Sequence, residues 1–173
     1  MSGKIWYRLS NKKNIQEGHL FITEKGLYSE DRYVPELEII MKKYPNAILT
    51  LNSAFYYYGL TDTIPDHYYV ATPKSNRKIE DVRVKQIYEN SNAFEMGKTT
   101  IEYDGVDITI YNEERLLIEL IRNKRKFSFD LYKEIISNYR KLIHKMDMTQ
   151  IMEYAYELPK TNMVMETIRL EIL

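Results

Sequence analysis

The stretch TTIEYDGVDITIYNEERLLIELIRNKRK, residues 99–126, decides the fold. Asp104-Gly105 stands between two runs of alternating residues, the strongest two-residue hairpin signal available to a sequence. With the turn there, Tyr103 faces Val106, Ile101 faces Ile108 and Thr99 faces Ile110, giving one mostly apolar face. Glu102 then lies opposite Asp107 and Thr100 opposite Thr109. The register and the burial pattern agree, as they must when one face is covered. The Glu102–Asp107 pairing is a small like-charge cost that solvation relieves. At Asn112 the period changes from two to that of a helix. Asn112 is a capping residue, Glu113 and Glu114 complement the dipole of the first turn, and RNKRK closes the helix with positive charge. Leu116, Leu117, Leu120 and Ile121 face a core.

Further along, Ser128 is positioned to cap a helix with the stripe Leu131, Tyr132, Ile135, Ile136, Tyr139, Leu142 and Ile143. Asp147 with Gln150 resembles a capping box for a third helix, which Pro159 stops after Leu158. Val164, Ile168 and Ile172 stripe a last one. Working back from residue 99, VRVKQIY (82–88) and HYYVAT (67–72) read as strands. Asn52 is positioned to cap a helix over SAFYYY that Gly59 ends, after a short buried segment at 47–51. Pro35 opens an amphipathic helix over 35–44, with Leu37, Ile40, Met41 and Tyr44 at helical spacing. Gly18 introduces a β-hairpin over about 19–29, and residues 1–17 have room for one short helix. Strands followed by helices predict an α+β class. The expectation is a small N-terminal lobe over residues 1–45, then a mainly antiparallel sheet with a helical C-terminal half over 46–173.

The composition is that of a folded domain: 173 residues, 44% hydrophobic, 29% charged. No run approaches the roughly 18 apolar residues of a membrane helix, and MSGKIWYRLSNKK lacks the apolar core of a signal peptide, so the expected compartment is the cytoplasm. The absence of Cys excludes disulfides, thiolate zinc sites and cysteine nucleophiles. The 25 basic and 25 acidic residues cancel, so any attraction for nucleic acid rests on local patches. The basic groups gather in Lys74, Arg77, Lys78, Arg83 and Lys85, in Arg122, Lys124, Arg125 and Lys126, and in Lys133, Arg140, Lys141 and Lys145.

Reactive chemistry is hard to place on this chain. His19, His67 and His144 do not pair at metal-ligand spacing. No phosphate-binding glycine loop occurs. Asp104 and Asp107 lack the Gly-Ser turn of a nucleotidyltransferase. Pro65-Asp66 is not followed by the acidic-x-Lys tripeptide of a metal nuclease. Ser53 has no Gly-x-Ser-x-Gly setting. Tyr56, Tyr57 and Tyr58 are about 100° apart around a helix, so at most one or two share a surface for stacking on bases, and core packing with the hydroxyls at the rim is the favoured reading. The expectation is a non-enzymatic protein without cofactor or metal. For 122–126, two readings stand: cations favoured at any helix C-terminus, and a docking surface.

The run LTLNSAFYYYGLTDTIPDHYYVATPK, residues 49–74, resembles the signature segment of AbiEi-type antitoxins of bacterial abortive-infection systems. The pieces that carry the resemblance are Ser53, Ala54, Gly59, Leu60, Thr61, Asp62, Ile64 and Pro65, followed by Tyr69 and Lys74. GHLFITEKGLYSE is similar to the wing-like hairpin ahead of that segment, and ITIYNEERLLIELIRNKRK to its strand-to-helix piece with a Glu-Arg pair, here Glu114-Arg115. The resemblance implies a winged-helix lobe, shortened here because some 17 residues precede Gly18, and a C-terminal antitoxin domain. It also implies a functional partner, a toxin of the nucleotidyltransferase fold, which need not be held in a tight complex. Operator DNA is a second implied partner. Lys4, Arg8, Lys12, Lys13 and Lys25 would then contact phosphate, and Arg122, Lys124, Arg125, Lys126, Arg140 and Lys141 would form the antitoxin surface. A DNA-binding regulator of the same fold without a toxin is the alternative.

Overall fold

The computed structural model describes residues 5–7 and 20–173. The chain divides into two units, one of residues 1–47 with 100–109, the other of residues 48–99 with 110–173.

In the first unit, strands β1 (Ile5–Tyr7), β2 (Phe21–Glu24) and β3 (Leu27–Ser29) form an antiparallel sheet in the order β1-β3-β2. The hairpin expected over 19–29 is present as β2 and β3. The helix expected within residues 1–17 is corrected at residues 5–7, where Ile-Trp-Tyr pairs with β3 as a strand. These are residues that favour an extended, half-covered backbone. Helix α1 (Glu36–Lys43) follows Pro35, with Leu37, Ile39, Ile40 and Met41 buried. Its last turn is tied down by Lys43, whose Nζ lies 3.0 Å from Glu24 Oε2.

The second unit opens on β4 (Ile48–Leu49), which turns directly into helix α2 (Leu51–Tyr57). No loop separates them, and Leu51 absorbs the reversal at φ +45°, a strained value for a residue with a side chain. The helix therefore starts ahead of Asn52, with Thr50 at the cap position and no side-chain cap bond, in place of the expected Asn52 cap. Its end is as expected. Gly59 takes φ +67°, its N–H donates to Tyr56 O, and Leu60 N–H donates to Phe55 O. That double bond pattern is the Schellman motif, and its accompanying apolar contact positions, Phe55 and Leu60, are both fully buried.

Strands β5 (Tyr68–Pro73) and β6 (Val84–Glu89) are followed by a short helix α3 (Ser91–Phe94), then by β7 (Lys98–Tyr103) and β8 (Val106–Tyr111). The five-stranded sheet has the order β6-β5-β4-β8-β7. Asp104 and Gly105 both take positive φ, as the hairpin turn requires, and burial alternates along β7 as its sequence implies. The sheet is mixed and not mainly antiparallel: β5 runs parallel to β6, and β4 parallel to β8 through Leu49 and Ile110. Parallel neighbours are joined by long connections, so no local turn signal announces them.

Helices α4 (Glu113–Arg122), α5 (Phe129–Leu142), α6 (Met148–Glu157) and α7 (Thr161–Thr167) complete the α+β fold. The expected caps are in place. Asn112 accepts from Arg115 N–H, Ser128 from Leu131 N–H, and Asp147 from Thr149 and Gln150 N–H. Gln150 reaches the Asp147 carboxylate, while the Asp147 N–H donates to Glu114 Oε1. Val164, Ile168 and Ile172 are buried, as their spacing implies.

Two glycines separate conformational from steric cost. A Cβ at Gly59 would meet nothing within 4 Å, whereas one at Gly97 (φ +76°) would lie 2.6 Å from Arg115 Cβ and 2.8 Å from Asn112 Oδ1. Gly59→Ala should therefore lower unfolding free energy by about 1 kcal/mol, the left-handed strain alone. Gly97→Ala should cost about 3 kcal/mol, because backbone and overpacking penalties combine. Urea unfolding of both variants checks the order, and equal midpoints would contradict it.

Candidate functional site

Within residues 53–65, Ser53, Ala54, Phe55, Leu60 and Thr61 are buried, whereas Asp62, Thr63 and Ile64 are exposed. Ser53 Oγ, fully buried, accepts from Tyr69 N–H at 2.8 Å and donates to His67 O at 3.1 Å, joining α2 to the start of β5. Ala54 beside it is fully buried. After the Gly59 reversal, Leu60 O accepts from Asn138 Nδ2, Thr61 Oγ1 donates to Glu134 Oε2, and Asp62 N–H donates to Glu134 Oε1. Thr61 Oγ1 also accepts from Thr63 N–H, a local turn. The Gly-Leu-Thr-Asp piece is thus a docking strap on α5, with Asp62 exposed and Pro65 half-buried beyond it.

Arg115 is the largest fully buried side chain of the described residues. Its Nε donates to Glu119 Oε1 at 2.9 Å, and Nη1 donates to Ala93 O at 2.8 Å and Met96 O at 3.3 Å. Nη2 lies 2.9 Å from Glu119 Oε1 and 3.7 Å from Glu89 Oε2, without an aligned hydrogen bond. The guanidinium stands 4.7 Å from the centre of the Tyr111 ring, whose hydroxyl donates to Phe94 O. Glu119 also accepts from Arg122 Nη1 at 2.6 Å and from Asn123 Nδ2 at 3.0 Å. Two guanidiniums and two carboxylates thereby share one interior site, and burial followed by repulsion from Glu119 raises the Glu89 carboxyl above its usual range. Spacing alone gave little notice of this cluster. The available signal was Arg115 and Glu119 four apart, between leucines, with Gly97 leaving room for the arginine stem.

Of the six cations expected on a C-terminal surface, four are engaged within the chain. Arg122 turns inward to Glu119, its side chain 15% exposed. Lys124 Nζ pairs with Glu171 Oε1 at 2.7 Å and sits over the Tyr132 ring. Arg140 Nε donates to Glu171 O, and Lys141 Nζ donates to Asn138 Oδ1. Burial acts against ionisation of Glu171, yet hydrogen bonds from Lys124 and the Tyr132 hydroxyl hold its carboxyl below the usual range. The structure thus brings Lys124 and Arg140 together on Glu171. Arg125 and Lys126 remain exposed in the 3₁₀ turn Lys124–Lys126. Of the residues expected to contact DNA, Lys25 is exposed in the β2–β3 turn, and Lys4, Arg8, Lys12 and Lys13 lie outside the described residues.

A groove of about 750 Å³ runs between residues 90–96 and 156–161, lined by Asn90, Ser91, Asn92, Tyr156, Glu157 and Thr161 among others. It holds no nucleophile with an adjacent base. The nearest thing to a Ser-His-Asp grouping is Ser53 with His67 and Asp66, whose Oδ2 lies 3.0 Å from His67 Nδ1. There the serine proton goes to a backbone carbonyl and the hydroxyl is sealed from solvent, which is positioning and not activation. Among the described residues no group of three His, Asp or Glu side chains is placed to hold a metal ion, and no helix is long and apolar enough to cross a membrane.

Elements and site together define an α+β protein with a mixed sheet, a helical C-terminal half and a buried ionic cluster at their join. No family model and no curated protein matches the chain.

Removing one partner from a buried ion cluster leaves an uncompensated charge, at a cost of about 3–5 kcal/mol. Arg115→Met should therefore unfold at much lower urea than the parent, and a shift no larger than a surface change produces would show that the cluster is dispensable. Glu89 supplies a pH test. Its raised carboxyl contributes stability that is present below the ordinary 4.5 and is lost as pH rises through the folded value. Relative to the parent, Glu89→Gln should gain stability as pH increases from 4.5 to neutrality. Parallel urea midpoints for the two proteins across that range would contradict this.

Proposed function

We propose that this chain is an AbiEi-type antitoxin of a bacterial abortive-infection system, acting in the cytoplasm through a binding surface and not through a reactive side chain. It neutralises a toxin of the nucleotidyltransferase fold. One observation carries the reading: separate pieces of the signature, Ser53-Ala54, Gly59 to Asp62 and Arg115, recur in family order. The geometry supports it by giving each a scaffold role, at the α2–β5 junction, on α5 and in the ionic cluster. A protein whose distinctive residues build a scaffold works by what the scaffold displays. The displayed cations of the C-terminal turn, Arg125 and Lys126, are the antitoxin surface on this reading, with Lys124 and Arg140 held beside them by Glu171.

Repression of its own operon is a second activity on the same reading. It is favoured by the three-stranded N-terminal sheet with Lys25 exposed at its turn, a placement suited to phosphate contact. A regulator that binds DNA and has no toxin partner would show the same sheet.

The reading expects a nucleotidyltransferase-like gene beside its own, and co-expression with that gene tests it. The parent chain should restore growth. Arg125→Glu with Lys126→Glu should abolish rescue while leaving the melting temperature within a few degrees of the parent, because exposed substitutions change stability little. Full rescue by the doubly reversed chain removes that surface, and failure of the parent to rescue removes the antitoxin assignment.

A further inference from the structure

In a chain of zero net charge, the location of unneutralised cations is informative. The C-terminal cluster spends part of its charge internally, Arg122 on Glu119 and Lys124 on Glu171. The connection between β5 and β6 spends less. Lys74, Arg77 and Lys85 are exposed; among the described residues no salt bridge engages any of the three, although Lys74 lies close enough to Glu89 to favour its ionised form. Lys78 approaches Glu80 at 3.4 Å with both groups about three-quarters exposed, a contact worth little in water. Arg83 is committed more firmly, through a two-pronged pair with Asp81.

This cationic connection is also held in shape. Gln86 Nε2 donates to Thr72 Oγ1 at 2.8 Å and to Arg77 O at 3.1 Å, and its Oε1 accepts from Ile79 N–H at 2.8 Å. One amide therefore fastens the chain at 77–79 over the face of the β5–β6 pair. Asn76 N–H donates to Pro73 O, which fixes the turn after β5. By register Tyr88 lies opposite Thr72, on the face that carries Gln86, and the residue is 43% exposed. Lys85 projects from the other face of the same strand, and β6 is an outer strand of the sheet. Exposed Ser75 and Asn76 stand between Lys74 and Arg77.

We propose that the β5–β6 connection and the β6 edge form a binding site for single-stranded RNA. Lys74, Arg77 and Lys85 meet phosphates, Tyr88 offers a face on which a base stacks, and Ser75 and Asn76 reach ribose hydroxyls. Exposed cations on both sides of an outer strand that also carries an exposed aromatic match a flexible phosphate chain with exposed bases. An acidic protein surface would use the cations and leave Tyr88 without a role. The 2′-hydroxyl gives the two polar residues a partner that DNA lacks. This goes beyond the antitoxin reading and does not depend on it, since it is measured without a toxin.

The test is fluorescence anisotropy of a labelled twelve-nucleotide uridine RNA with the full purified chain. Binding should be seen at 50 mM salt, and the slope of log K against log salt should be about −2 for three phosphate contacts on a single strand. Lys74→Gln, Arg77→Gln and Lys85→Gln together should weaken binding at least tenfold and flatten that slope, with circular dichroism and melting unchanged. Tyr88→Ala should weaken it about tenfold without changing the slope, as loss of a stacked base does. Absence of RNA binding by the parent overturns the proposal. So does equal binding by the triple variant, or equally tight binding of thymidine DNA or polyglutamate.

Discussion

The interior of the second unit turns on a guanidinium taken out of water. Arg115 can be buried only because Glu119 and Glu89 supply charge and the carbonyls of residues 93 and 96 supply acceptors. Desolvating such a group costs several kcal/mol, and the cost is met only when nearly every donor finds a partner. That requirement fixes things far apart in sequence. The chain after β6 has to curl so that residues 93 and 96 present their carbonyls. Residue 97 has to be glycine so that the arginine stem fits. The end of α4 has to bring Arg122 and Asn123 back onto the same carboxylate. The cluster thus specifies one arrangement of strand end, short helix and long helix where apolar packing alone would tolerate several.

The same logic explains how much of the fold could be read from sequence. The hairpin at Asp104-Gly105 and the caps at Asn112, Ser128 and Asp147 were legible because each is a contract between neighbouring residues. The apolar stripes of α4 to α7 were legible because helical period needs no distant information. The parallel pairings were not, since Leu49 meets Ile110 across a separation that no local pattern records. β1 was missed because three residues are too few to show a period. The start of α2 was misplaced by the bend at Leu51, a strained residue that propensity would assign elsewhere.

The candidate surfaces were legible only as charge. Sequence placed the candidate surface on the C-terminal cations and left the run from Lys74 to Lys85 without a role, and the structure adds where each side chain is spent. Arg122 looked like a helix-end cation and is an interior one. Lys124 and Arg140 looked independent and share Glu171. Gln86, an unremarkable residue by composition, proved to be the clasp of the cationic connection. Its role depends on three partners that only the folded backbone assembles.

The pairing of Leu49 with Ile110 has a consequence for how the molecule comes into being. β4 occupies the centre of the sheet, yet one of its two neighbours lies about 60 residues downstream, and contacts of that span are late and slow to form. As the chain leaves the ribosome, β5 can settle on one flank of β4 while the other flank waits, backbone donors open, for the second hairpin strand to be synthesised. The second flank of β4 can be covered only once β8 has been synthesised, so the nascent protein carries an open strand edge that the finished sheet closes.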